Sequence, residues 1–328
     1  MTIKRAVVAA ALAALPIVPT VSAQQGAAQP PLTPTVATAI PGVIAAGTQV
    51  QILKQGFMGT EGPIALPDGT AAFCETNASR IVRIDAAGTV TTYMENTNGS
   101  NALGFDPKGR LISVQTMPGN TRVGVIAPKS SEATLATGFA GRPNDLVVTS
   151  KGAVYFTVPA ASVVPGTKPP TDPFPTAVYY IPPGGNYVKA AEGITFPNGI
   201  QLSRDEKTLY INNTQGEYIL AFDVQADGTL TNRRDFGKYQ SVTKNPQGGF
   251  ASGADGLAID NDGRVYTATP TGAQVFGPKG EYLGTIPTPN GIQNLAFAGP
   301  DKKTLYMVGR GAAYRVEMVA QGFKGRAK

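Results

Sequence analysis

The chain contains no histidine. That excludes Ser-His-Asp and Cys-His catalysis, and it excludes zinc held through imidazole. It contains one cysteine, Cys74, so no internal disulfide can form and no cluster of thiolates can hold a metal. Cys74 sits in "TAAFCET" among strand-like residues, where it reads as buried apolar filler rather than a reactive thiol. Charge is sparse as well: Lys, Arg, Asp and Glu make up 15% of 328 residues, with no basic run and no basic-aromatic interleaving. That argues against nucleic acid as the main partner. Helical periodicity is hardly visible anywhere.

What is present points to many short strands. Gly 39 and Pro 27 call for frequent tight turns, and 42% hydrophobic residues can fill a full-sized core. The first residues, "MTIKRAVVAAALAALPIVPTVSAQQG", combine a basic start, an apolar stretch and the small-residue site Val21-Ser22-Ala23. Residues 1–23 therefore read as a secretory signal cleaved after Ala23. The apolar stretch, broken by Pro16 and Pro19, falls short of the ~20 residues needed to span a bilayer. The expected product is periplasmic or secreted, with no membrane attachment after cleavage. Loss of Lys4 and Arg5 would bring the formal charge from +6 to +4. Residues 24–48 read as a flexible Ala/Pro-rich lead-in, 49–320 as one domain, and 321–328 as a basic tail.

Six segments of that domain share a pattern of polar residue, strand, turn and second strand. They are "EGPIALPDGTAAF", "NALGFDPKGRLI", "NDLVVTSKGAVYF", "NGIQLSRDEKTLYI", "DGLAIDNDGRVYT" and "NLAFAGPDKKTLYM". Their turns begin at Asp68, Lys108, Lys151, Asp205, Asp262 and Asp301, spaced 40, 43, 54, 57 and 39 residues apart. Such intervals fit the blades of a β-propeller, the two long ones carrying inserted loops. The fold class expected is all-β: a six-bladed β-propeller with a metal site at the central channel.

That metal site follows from one further count. Seven residues before each turn stand Glu61, Asn101, Asn144, Asn198, Asp255 and Asn294, every one a carboxylate or carboxamide. In a propeller a shared register means the same place in each blade, here the head of the strand nearest the channel. Two carboxylates converging among amides repel unless a positive charge lies between them, and no Lys or Arg occupies the register. All-oxygen donors favour one hard divalent cation, calcium first, with magnesium, manganese and zinc behind it. "DNDG" at Asp260–Gly263 looks like part of a calcium loop, but position 269 is Thr where that loop needs Glu, so it reads as a turn.

With these residues in place, most of residues 55 to 318 resembles the senescence marker protein, gluconolactonase and luciferin-regenerating enzyme family. The carriers are Glu61-Gly62-Pro63, Arg142-Pro143-Asn144-Asp145, Pro197-Asn198-Gly199, Ala254-Asp255-Gly256 and "NLAFAGPDKKTLYMV". The resemblance implies a six-bladed propeller with one divalent metal at the top of its channel and hydrolysis of a lactone, often a sugar lactone. By motif, Glu61, Asn198 and Asp255 look like metal ligands. Asn144 looks like a fourth ligand or a substrate contact, and Arg142 stands where members hold substrate. Asn101 and Asn294 would support the site or touch substrate. Without histidine, Asp255 is the candidate general base, and a pure ligand role remains equally open. Asp145, one residue out of register, is expected to turn away and brace its loop. The chain departs from the family at Val158, where members commonly carry Asp. It also departs in the Pro-rich stretch Pro159–Thr176, expected as a lid over the channel mouth. The partner expected is a small-molecule substrate. A binding propeller with a structural ion, or a related propeller enzyme acting on phosphotriesters, are the competing readings.

Overall fold

A strand buried on both faces has no solvent side to alternate toward, and that is how the inner strands of this chain read. In the computed structural model, which describes residues 30–138, 141–159, 176–244 and 248–328, Thr60–Ala65, Pro197–Leu202 and Asn294–Ala298 are buried at every position. The expected signal segment, the first part of the lead-in and nearly all of the expected lid lie outside the described residues. Each inner strand opens an antiparallel sheet. Four sheets run 60–94, 100–137, 146–192 and 197–238, a fifth runs 257–287, and the sixth begins at Asn294. This is a six-bladed β-propeller, numbered here blade 1 to blade 6 along the chain. A small ribbon, Thr243–Lys244 with Phe250–Ala251, stands outside the blades within the second long interval.

Packing explains the six-fold order. The buried apolar residues form six clusters, one in each gap between neighbouring blades. Ile64, Ala72 and Ile81 of blade 1 meet Leu103 and Leu111 of blade 2; Leu209 and Ile211 of blade 4 meet Val147 and Tyr155 of blade 3. Burial of an aliphatic side chain is worth ~1.5–3 kcal/mol, so no blade is stable without both neighbours. Cys74 is fully buried in the first of these clusters, and Val158 lies buried in the gap between blades 2 and 3. Tyr179 packs in that gap, and Tyr180 stacks against Tyr155 with ring centroids 4.8 Å apart.

The ring closes by strand exchange between distant parts of the chain. Gln49–Gln55 pairs with Ala312–Glu317 as an outer strand of blade 6, and Thr35–Val36 pairs on its far side. The lead-in expected to be flexible through residue 48 is thus part of the fold. Ile40, Val43 and Ile44 are buried in the cluster between blades 5 and 6, and the Val43 carbonyl accepts bonds from the amides of Val319 (3.0 Å) and Ala320 (3.1 Å). Its Ala/Pro composition concealed three branched apolar residues that the end of the ring needs as cover. The expected basic tail is likewise internal: Gly322 bridges to Asp260, and Lys328 is buried.

Every inner strand carries a β-bulge at its head, where two residues face one on the next strand. In blade 3 the Asn144 amide donates to the Thr157 carbonyl while Thr157 donates back to Asp145. In blade 5 Asp255 and Gly256 share Ala268 in the same way. The pairing slips at the corresponding place in blade 1 (between Glu61 and Ile64), in blade 4 (between Pro197 and Ile200) and in blade 2 (between Ser100 and Ala102). In blade 6 Gln293 donates to Val308, which Asn294 already faces. Glu61, Asn144, Asn198 and Asp255 are the first residues of their bulges. Asn101 is likewise the first of its bulge, and Asn294 is the second of its own.

The bulges bring inner strands unusually close. A Cβ on Gly199 would collide with the carbonyl oxygen of Asp255 and the Cα of Gly256, both backbone atoms of the next blade. Gly199→Ala should therefore lower stability by about 1–3 kcal/mol, as overpacking against an unyielding wall does. Urea unfolding measures it, and an unchanged midpoint would refute the close approach.

Candidate functional site

The six bulges are joined into a ring of hydrogen bonds at the top of the channel. Thr76 Oγ1 donates to Asn101 Oδ1 (3.2 Å), and Asn101 Nδ2 donates to the Asn144 carbonyl (3.0 Å). Thr157 Oγ1 donates to the Asn198 carbonyl (2.7 Å), and the Gly199 amide to the Asp255 carbonyl (3.1 Å). The Gly256 amide donates to the Gln293 carbonyl (2.7 Å). Gln293 and Asn294 then close the circle onto Glu61, at 3.3 Å to Oε1 and 3.1 Å to Oε2. The backbone at the site is held by its neighbours all the way round.

Against that background three atoms stand out. Asn144 Oδ1, Asn198 Oδ1 and Asp255 Oδ1 are buried and have no hydrogen-bond partner. Partnerless buried oxygens are costly, by ~1–3 kcal/mol each, and rare in folded proteins. The orientation of Asn198 is fixed by its other end. Thr214 Oγ1 spends its proton on the Ala254 carbonyl (2.6 Å), so it can only accept the Asn198 Nδ2 (3.0 Å), which leaves the amide oxygen free. All three oxygens are on first residues of bulges. The two other amides of the register are occupied: Asn294 Oδ1 takes the Leu295 amide (2.9 Å), and Asn101 is engaged at both ends. Among the described residues no group of three or more His, Cys, Asp or Glu is placed to hold an ion. The candidate donor set is two carboxylates and two amides, a combination that suits a hard cation.

The electrostatics agree with the orphaned oxygens. Burial pushes the Glu61 carboxyl up to about 7, with Asn294 and the Lys328 charge opposing and the Asp145 charge adding. Burial, then the Glu61 and Asp145 charges, push Asp255 well above the ordinary carboxylate range; Lys328 and Arg310 pull the other way. Asp145 was expected to turn away from the axis. It is instead buried beneath the site, where Oδ2 meets Lys328 Nζ at 2.6 Å and Oδ1 takes the Leu146 amide at 2.8 Å. One residue out of register thus did not mean outside the channel. Fully ionised, three carboxylates against the one ammonium would leave two negative charges, the complement of a divalent ion.

At the mouth, Arg142 is exposed and its guanidinium reaches Asn101 Oδ1 at 3.4 Å. Asn101, expected to touch substrate, is buried and braces Arg142 and the Asn144 backbone. Arg310, which no sequence pattern marked, holds a left-handed backbone (φ 53°) on blade 6 and acts on Asp255 from the rim. Asn212 was also missed: its Nδ2 donates to the carbonyls of Asp255 (2.5 Å) and Gly256 (3.2 Å). The "DNDG" segment is a turn, with Asp260 accepting the amides of Asp262 and Arg264 and pairing with the Arg264 guanidinium at 2.9 Å.

Comparison with known proteins places the whole arrangement. Residues 60–310 match the model of the SMP-30/Gluconolactonase/LRE-like region, which includes every position of the candidate site except Lys328. The chain belongs to this family. Over 290 residues it is 24% identical to a gluconolactonase of Zymomonas mobilis, covering 81% of this chain and 80% of that one. The solved structure of a gluconolactonase, XC5397 from Xanthomonas campestris, superposes with a TM-score of 0.72 at 27% identity, over 87% of this chain and 94% of that one. The fold is also shared with a calcium-binding protein, regucalcin from Agrobacterium tumefaciens (TM-score 0.66, 17% identity, 84% of this chain and 95% of that one).

The raised carboxyl of Glu61 makes a pH prediction. For an acid raised in the folded state, folding is unopposed below its ordinary value of 4.5, and stability is lost as pH climbs through about 7. In the presence of a chelator, the thermal midpoint should fall between pH ~5 and pH ~8, reflecting a few kcal/mol, and Glu61→Gln should flatten the profile. A profile already flat in the parent protein would show that Glu61 is not buried in its charged form.

Proposed function

We propose that this protein is an exported, divalent-cation-dependent hydrolase that opens a lactone ring. The observation that carries the reading is the set of buried oxygens on Asn144, Asn198 and Asp255 with no protein partner, beside the Glu61 carboxylate, in a family whose named members include gluconolactonases. Glu61, Asn144, Asn198 and Asp255 would hold the ion, calcium by the chemistry of an all-oxygen set. A cation there supplies the Lewis acid that polarises the lactone carbonyl.

The remaining steps are assigned to side chains of the chain. Both Glu61 oxygens are bonded to Gln293 and Asn294, which fixes it as a static donor. Asp255 is only half-buried and neither of its oxygens is held by a side chain, so it is the carboxylate assigned to meet a water. It would take the proton as water adds to the carbonyl carbon and return it to the ring oxygen as the carbon–oxygen bond breaks. Arg142, steadied by Asn101, would orient the hydroxyl or carbonyl oxygens of the substrate at the mouth. The export reading rests on residues 1–23 alone.

Purified protein should contain about one divalent ion per chain, and a panel of sugar and aliphatic lactones should be hydrolysed only until a chelator is added. Asp255→Asn retains an oxygen donor but no base; it should lower kcat by at least ~10²-fold while some cation binding survives. Arg142→Met should raise KM by about tenfold with a smaller change in kcat. An ion that stabilises the fold without any lactone turning over would favour the binding-propeller reading, and turnover confined to phosphotriesters would move the substrate class.

A further inference from the structure

We propose that the segment Gln321–Lys328 is a built-in floor of the channel, and that Lys328 is a positioning residue that sets the charge of the cation site above it. The proposal rests on the cation reading of that site. The segment is anchored to five of the six blades. Asn261 donates its amide to the Gln321 carbonyl (2.7 Å), Phe323 donates to Ile259 (3.2 Å), and Ala65 donates to Ala327 (2.8 Å). Lys302 Nζ, itself largely buried, donates to the carbonyls of Phe323 and Arg326. The Arg326 guanidinium donates to the carbonyls of Leu202 (2.5 Å) and Ser203 (2.9 Å), pairs with Glu206, and lies over the Phe323 ring at 5.0 Å. Gln201 Nε2 holds the Lys328 carbonyl at 3.2 Å.

These anchors leave a gap of about 20 Å³ between the segment and the walls formed by Leu103, Leu146 and Val148, room for about one water. Beside it the Lys328 side chain, 7% exposed, reaches Asp145, which is 1% exposed and adjacent in sequence to Asn144. A lysine so deep in a core costs several kcal/mol in desolvation and is kept where a paired charge needs it. Here its charge is felt by both site carboxylates, Glu61 and Asp255. Three carboxylates and one ammonium make a cage of charge −2. Without Lys328 the cage would be −3, and with Asp145 neutralised it would be −1.

The energy of an ion in the channel scales with its own charge, so the two changes shift divalent and trivalent ions unequally. The test measures Ca²⁺ and Tb³⁺ affinities by calorimetry and terbium luminescence on the parent chain, Lys328→Met, Asp145→Asn and the double variant. Lys328→Met should bind Ca²⁺ at least about tenfold more tightly and raise the Tb³⁺/Ca²⁺ preference a further ~3-fold; Asp145→Asn should weaken Ca²⁺ by a similar factor. The double variant, again −2, should return to within about threefold of the parent. A segment with only a packing role would move stability in each variant but not this alternation of sign. Asp145→Asn keeps every backbone anchor of the segment, so it decides the matter even where Lys328→Met fails to fold. Parent protein that binds neither ion overturns both the cation reading and this one. Parent binding with Asp145→Asn and Lys328→Met unchanged in affinity overturns the floor proposal alone.

Discussion

The site depends on how closely one inner strand can approach the next. At the head of each blade a bulge inserts an extra residue, and across each gap the neighbouring strand supplies a hydrogen bond to that extra turn of backbone. Only glycine fits where the Asp255 carbonyl of blade 5 meets blade 4, and an asparagine side chain, Asn212, reaches to the same carbonyl from below. The six gaps are glued by aliphatic and aromatic side chains lower down, which supply the stability; the ring of polar bonds at the top supplies the geometry. A change in either is transmitted around the circle, because each blade is held only through its two neighbours.

The same close approach forces acidic groups together, and the chain offsets their repulsion from two sides. From below, Lys328 neutralises one of three carboxylates. From above, Arg310 and the exposed Arg142 put positive charge at the rim without touching Glu61 or Asp255 by any hydrogen bond described. What remains is a layer of two carboxyls, Glu61 and Asp255, with no cationic hydrogen-bond partner, and three partnerless oxygens. Such a layer is expensive for the fold alone and favourable for a fold that carries a dication, and a site whose cost is met by its ligand is what a function at that point requires.

Much of this could be read in the sequence, and the point where reading failed has a physical cause. The turns at fixed distance from a polar residue gave the blades, and the count of seven reached the four residues of the candidate donor set. The count treats each hairpin as rigid, however. In blade 6 the bulge begins one residue earlier, at Gln293, so Asn294 turns its oxygen to the backbone although it sits at the same distance from its turn as Glu61; Asn101 keeps the register but is taken up by bonds to Thr76, Arg142 and the Asn144 carbonyl. A bulge is one residue in a strand whose side chains alternate every residue, so a slip of one exchanges an oxygen aimed at the axis for one bound to the backbone. Hydrophobic pattern does not record it. The Ala/Pro-rich residues before 48 misled for a different reason: composition averaged away Ile40, Val43 and Ile44, which are the residues that pack.

Asp145 shows most directly what a linear reading lacks. Beside Asn144 in "GRPNDLVV" it looks like an ordinary strand-starting acid, and nothing within the repeat says where it points. Its partner is 183 residues away, in a segment with no place in the repeat and with a basic composition that suggests a solvated end. The pairing exists because the propeller leaves an open lower channel that every blade borders, and any segment returning beneath the ring can enter it. An acid buried in the channel needs a partner there, and Lys328 supplies it to Asp145 beneath the candidate site. On the floor proposal, the electrostatic character of the upper site depends on one residue, Lys328, that lies outside the family's matched region.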